Sequence, residues 1–239
     1  MVNRVAKVLD QLEAHYGKQQ AKWPTDPYAF LVWWCCGYPQ SDDRCSKGWA
    51  SLTAQSGISP EELLAATPAK LTAALKPGGM VPELRVQRLK ELAMRVKDQY
   101  AGELGSALRG PLTQARKVLK TFHSISDPGA DRILLFAGLA PLAAVPSNNP
   151  HVLVRILLGR ESENYGRVYK EAQGAIAAEV PETLDARQRA YLLLKIHGQE
   201  ICKRQAPKCD QCPVKNSCQY FAGHLRGRGK AARAPGSRR

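Results

Sequence analysis

Cys202, Cys209, Cys212 and Cys218 are separated by six, two and five residues. Thiolates this close along a chain can converge on one metal centre, because they are soft ligands for iron–sulfur clusters and for zinc. Only Cys209 and Cys212 form the short knuckle that structural zinc sites use in pairs. The spacing therefore favours a cubane cluster and leaves zinc open. Two disulfides would suit a small secreted domain. This chain has 239 residues and runs from Met1-Val2-Asn3-Arg4 straight into a helical pattern, without a signal sequence.

Two further stretches could hold phosphate. Asp127-Pro128-Gly129 reads as an N-cap followed by proline, opening a helix from Ala130 to Ala137. Asn149-Pro150 reads the same way before His151 to Leu158. Helix N-termini present free N–H groups and a positive dipole end, and Lys120, Arg132 and Arg155 stand nearby. The plainer role of both starts is to cap their own helices.

The formal net charge is +14, a surplus that points to a polyanion such as nucleic acid. Part of it lies in a tail: from Gln211 onward the chain has no acidic residue. Gly223 to Arg239 is rich in Arg, Gly and Ala and cannot bury a core, so disorder is expected there. No apolar run is long enough to span a bilayer. The odd total of seven cysteines fits a reducing cytoplasm, with the nucleoid as the location if the source is bacterial. Cys35, Cys36 and Cys45 read as small core residues.

The elements that must position these groups are helices. Val5, Val8, Leu9, Leu12 and Tyr16 form one apolar stripe. Phe30 to Cys36 is apolar on all sides and reads as a buried helix. Ser59-Pro60-Glu61-Glu62 is a capping box with proline at the first helical position. Leu89, Leu92, Ala93 and Val96 make another stripe, and Leu112, Ala115, Val118 and Phe122 the next. No strand alternation stands out, so the fold class is all-α.

The run His197-Gly198-Gln199-Glu200-Ile201-Cys202, the step Ala206-Pro207-Lys208-Cys209 and the cysteine spacing resemble the endonuclease III family of helix–hairpin–helix DNA glycosylases. The resemblance extends from Val5 to Tyr220. It implies a [4Fe-4S] cluster on the four cysteines and a two-domain fold. Residues 25–138 would form a helical barrel domain, residues 1–24 with 139–220 an iron–sulfur cluster domain, and 221–239 the tail. Duplex DNA, damaged or distorted, would lie between the domains of a monomer that has no membrane partner. Gln40 resembles a residue that fills space in the opened duplex, and Gly78-Gly79-Met80 resembles a wedge loop. Phe122-His123-Ser124-Ile125-Ser126-Asp127-Pro128 lies over the family's hairpin. His123, Ser124, Ser126 and Arg132 become candidate DNA contacts there. Ser147 and Asn148 join them from the following loop, and Lys203, Arg204 and Lys208 from between the first two cluster ligands.

The same alignment removes the family's chemistry. Ser124 and Ser126 replace both hairpin glycines, and serine resists the positive φ that glycine permits, so a different hairpin shape is expected. Pro128 replaces the lysine that would attack C1′ of the flipped nucleoside as an amine. Pro146 replaces the aspartate that would stabilise positive charge and help activate water; a one- or two-residue slip offers only Ser147 or Asn148. Asp127 is the remaining candidate acid, with Asp42 and Asp43 as more distant ones. The expected function is DNA binding on a glycosylase fold without standard glycosylase or lyase chemistry. The alternative is a monofunctional N-glycosylase using a relocated acid.

Lys and Arg displace condensed counterions from DNA, so duplex affinity should fall steeply with salt. Deleting residues 223–239 should reduce the slope of log affinity against log salt while leaving measurable binding. Complete loss of binding in a titration of the truncated chain would assign the affinity to the tail alone.

Overall fold

The computed structural model describes residues 3–223; most of the expected disordered tail lies outside them. Among the described residues the regular structure is helical, as the apolar stripes require. The chain divides into two compact units. One is Ala21–Ala140, and the other takes the described residues up to Gln20 and from Pro141 onward. No described helix is long and apolar enough to cross a membrane.

The second unit opens with α1 (Arg4–Tyr16), capped by Asn3, whose side chain accepts from the Ala6 amide at 2.8 Å. Val5, Val8, Leu9 and Leu12 are buried along one face. The first unit runs through α2 (Pro27–Cys35), α3 (Asp42–Ser56), α4 (Pro60–Ala65), α5 (Pro68–Leu75), α6 (Pro82–Tyr100), α7 (Leu104–Ala107), α8 (Leu112–Leu119) and α9 (Asp127–Phe136). The chain then returns to the second unit with α10 (His151–Leu158), α11 (Tyr165–Glu179) and α12 (Leu184–Glu200). There α1 packs on α11 and α12, and α10 packs on the same two helices.

In the first unit α2 is the central element and packs against α3, α6, α7 and α9. Its uniform apolarity matches burial on every side. The capping box at α4 is formed: Ser59 Oγ accepts from the Glu62 amide at 3.2 Å and Glu62 Oε2 accepts from the Ser59 amide at 2.9 Å. Cys35, Cys36 and Cys45 are buried thiols whose ionisation is pushed up by desolvation.

Two helix starts differ from the sequence reading by one residue. Ser126 takes the N-cap position of α9 and Asp127 is already helical. Pro150 takes the N-cap position of α10, which leaves Asn149 buried against Gly198, where a Cβ would lie 2.4 Å from Asn149 Nδ2. Pro128 lies in the first turn of α9 and Pro150 is itself the N-cap residue of α10, and in neither case does a side chain cap the helix.

Arg132 also departs from the sequence reading. Instead of a DNA contact it is a core residue, 6% exposed. Its guanidinium lies 3.9 Å from the Trp23 ring centroid and 5.1 Å from that of Phe30, and Nη2 donates to Asp42 Oδ2 at 3.0 Å. Tertiary packing draws it into an aromatic box that is favourable for a cation. Asp42 is accordingly a partner of that cation. Replacing Arg132 by Ala should destabilise the chain by about 3 kcal/mol, the usual scale for breaking a buried pair, as read by chemical denaturation.

Candidate functional site

In the first unit the hairpin joins α8 to α9. Amide bonds from Thr121 to Val118, Phe122 to Leu119 and Ile125 to Phe122 wind it tightly. Ser124 has φ +62. The hairpin therefore carries a left-handed residue although no glycine stands there. Ser126 is extended and both serines are exposed. His123 is half-exposed and its Nε2 lies 2.6 Å from Glu91 Oε2 on α6. Arg95, also on α6, donates to the Thr121 carbonyl and lies over the Phe122 ring. Below the hairpin, Arg116 Nε donates to the buried Asp131 at 2.7 Å.

Asp127 and Lys120 face each other across the hairpin, Oδ1 to Nζ at 2.7 Å, with side chains 64% and 46% exposed. Pro128 sits in the first turn of α9 and has no N–H to offer. Gln40 and Met80 are exposed on the turn before α3 and the loop before α6.

In the second unit, Pro146 is buried, Ser147 half-buried and Asn148 exposed. The Ser147 carbonyl accepts from Tyr165 Oη at 3.2 Å. From Leu139 to Leu158 the chain carries no carboxylate side chain.

The cysteine loop follows α12. Cys202, Cys209, Cys212 and Cys218, all half-buried, line one recess with Arg155, His197 and Tyr220. Two short 3-10 turns, Cys209–Gln211 and Lys215–Ser217, shape its rim. Burial raises the Cys202 and Cys212 thiols to about 11, with further contributions from the neighbouring thiols. Four thiolates in one recess need a cationic centre to coexist. Among the described residues, no three His, Cys, Asp or Glu side chains converge as ligands of a single metal ion would.

The loop is held from α10 and α12. Arg155, 5% exposed, donates to the carbonyls of Lys203 at 2.9 Å and Arg204 at 3.0 Å and pairs with Glu161 at 2.7 Å. It therefore clamps the loop, where the sequence suggested a phosphate site. His151 Nε2 lies 2.9 Å from the Cys202 carbonyl, which can only accept, so that nitrogen carries a proton. His197 is fully buried, and desolvation lowers its ionisation to about 4. Its Nδ1 lies 3.0 Å from Tyr16 Oη and its Nε2 3.6 Å from Cys212 Sγ. A neutral ring that accepts from Tyr16 turns an N–H toward the sulfur. Lys203, Arg204 and Lys208 are exposed on the same loop.

Sequence spacing had no signal for the Tyr16–His197 pairing, which joins residues far apart in the chain. Arg85 did carry one. It stands four residues before Leu89, on the apolar stripe of α6, where a cation must find buried partners.

No family model matches the chain. It is 25% identical over 214 residues to an endonuclease III of Thermotoga maritima, covering 86% of this chain and 88% of that protein. It is 23% identical over 163 residues to a thymine-DNA glycosylase of Aeropyrum pernix, covering 68% and 69%. Among solved structures, a non-covalent endonuclease III–DNA complex superposes with a TM-score of 0.73 at 17% identity, covering 95% of this chain and 99% of that one. A thermostable thymine-DNA glycosylase superposes at 0.72 and 19%, covering 92% and 97%.

An L-residue in the left-handed region costs about 1–2 kcal/mol, and glycine recovers part of this against its own unfolded-chain entropy. Ser124→Gly should accordingly raise stability by up to about 1 kcal/mol, seen as a higher denaturation midpoint with unchanged slope.

Proposed function

Given a chain that belongs to the endonuclease III-like helix–hairpin–helix family, we propose that it binds duplex DNA, damaged or distorted, without the family's Schiff-base chemistry. The unit Ala21–Ala140 acts as the hairpin-bearing domain, and the other as a domain built around a [4Fe-4S] cluster. The observation that carries this reading is the hairpin itself. Ser124 keeps a left-handed turn, so the hairpin can still approach phosphate through backbone N–H groups and hydroxyls. Yet at the start of α9 it offers a proline and an exposed Lys120–Asp127 ion pair. An amine that is hydrogen-bonded to a carboxylate in water is poorly placed as a nucleophile.

The cysteine recess fits the cluster by its donor set. Four thiols line it without converging on one point, Arg155 fixes the intervening backbone, and His197 sits beside Cys212. A cluster bound there would cross-link the loop and supply one-electron redox capacity. Lys203, Arg204 and Lys208 would then be presented to phosphates on a rigid rim. The chain's own work is to bind and orient DNA.

The full chain should contain iron and sulfide at roughly four each, and should lose both on Cys212→Ala. Stoichiometric zinc without sulfide would remove the cluster. Against a panel of lesion-bearing duplexes, scored separately for binding, base release and borohydride trapping, we expect binding and no trapped adduct. A trapped adduct that survives Lys120→Ala would overturn the alignment at Pro128. Base release abolished by Asp127→Asn would establish the monofunctional enzyme instead.

A further inference from the structure

His197 stands near the end of α12 and is fully buried. A polar ring is costly to bury unless its nitrogens find partners. Both nitrogens of His197 do. Nδ1 lies 3.0 Å from Tyr16 Oη, and Nε2 lies 3.6 Å from Cys212 Sγ. The ring therefore bridges the end of α1 and the cysteine loop.

Tyr16 reaches this position because α1 is pinned to the helices beneath it. Arg189 on α12 pairs with Asp10 at 2.8 Å and with Glu13 at 2.9 Å. The Val5 amide donates to Glu179 Oε2 of α11 at 2.9 Å. Gln19 Nε2 donates to the Tyr16 carbonyl at 2.7 Å and holds the last turn of α1.

A fully buried imidazole stays neutral and has one N–H to place. With the proton on Nδ1, the ring donates to the tyrosine oxygen and turns a lone pair toward the sulfur. A thiolate that ligates metal can only accept, so that contact is repulsive. With the proton on Nε2, the tyrosine hydroxyl donates to Nδ1 and the ring donates to the sulfur. Every group is then satisfied. Desolvation pushes the Tyr16 phenol above its ordinary range, so it stays a donor. A hydroxyl on α1 selects the tautomer of a histidine on α12. The Val214 amide bonds the same sulfur, so two N–H groups from different segments converge on Cys212.

We propose, on the cluster reading above, that Tyr16 is a positioning residue that fixes His197 as a donor to the Cys212 sulfur, and that this bond raises the reduction potential of the cluster. A donor to a ligating thiolate withdraws electron density and stabilises the reduced, more negative state. Burial of the ring shields the bond from competing water. An aliphatic side chain would fill the His197 site without an imidazole to desolvate. What the imidazole adds is the N–H.

The test is voltammetry of the full chain with its cluster, beside Y16F, H197L and H197Q, with iron and sulfide measured on each. One electron is exchanged with the electrode and no atom is transferred. H197L removes the donor, and the equilibrium constant for reduction should fall about tenfold, a shift of about 59 mV to lower potential. Y16F keeps the ring but frees its tautomer, and should lower the constant by about threefold. H197Q restores an N–H near the place of Nε2 and should stay within about twofold of the unsubstituted chain. Adding Y16F to H197Q should then change nothing further, because no tautomer is left to select. An iron- and sulfide-replete H197L with unchanged potential would overturn the donor bond. An unchanged potential in Y16F would overturn the role of Tyr16. If H197L does not fold or does not load, Y16F, which deletes one oxygen, and H197Q decide the point. An unsubstituted chain without iron and sulfide would overturn the cluster reading itself, and this proposal with it.

Discussion

A guanidinium is buried at low cost only where its charge and most of its five N–H groups are met. This chain accepts that condition at several places. Arg85, Arg132, Arg155 and Arg187 are 4, 6, 5 and 4% exposed. Three of them spend their donors chiefly on main-chain carbonyls. Arg187 donates to Ala177 in the last turn of α11 and to Pro181 just beyond it, Arg155 to the cysteine loop and Arg85 to the segments around Met80. Arg132 sits in an aromatic box with Asp42. Loop carbonyls that no helix satisfies would cost free energy if buried unpaired. A long planar donor fork reaches several at once, and so fixes non-helical segments between short helices without disulfides.

This use of arginine changes what the net charge means. Formal +14 is a property of composition, and part of it is consumed inside. The charge left in water includes residues such as Lys203, Arg204 and Lys208, exposed on a loop whose backbone a buried arginine fixes. The inner cations organise the fold and the outer ones stay solvated.

The helices and the cysteine loop were legible in the sequence because their signals are local. Apolar stripes repeat every three or four residues, proline and serine mark starts, and cysteine spacing is a chemical pattern. What failed was of two kinds. The starts of α9 and α10 lie one residue from where Asp127 and Asn149 suggest, because Ser126 and Pro150 take the N-cap positions and no side chain marks them by capping. Arg132 and Arg155 carry no sequence signal of burial because a cation's usual place is the surface, and only packing from distant segments supplies the rings and carbonyls that draw them inside. Ser124 was a milder case. Its intrinsic preference was read correctly, but the bonds around it and the contacts of His123 and Arg95 with α6 and the neighbouring turn accompany a φ that serine alone would avoid.

The Cys36 carbonyl gathers Arg85 with the close approach of two glycines. A Cβ on Gly48 would lie 2.6 Å from that oxygen, and one on Gly78 1.7 Å from it. Three positions on different segments thus crowd one acceptor, the carbonyl of a fourth. Substitutions among them will not combine additively: once Gly78 has gained a side chain and displaced the guanidinium, the identity of residue 85 has little left to contribute. Lineages can leave this arrangement only by changing several of these positions together, and the quartet should therefore drift as a block or not at all.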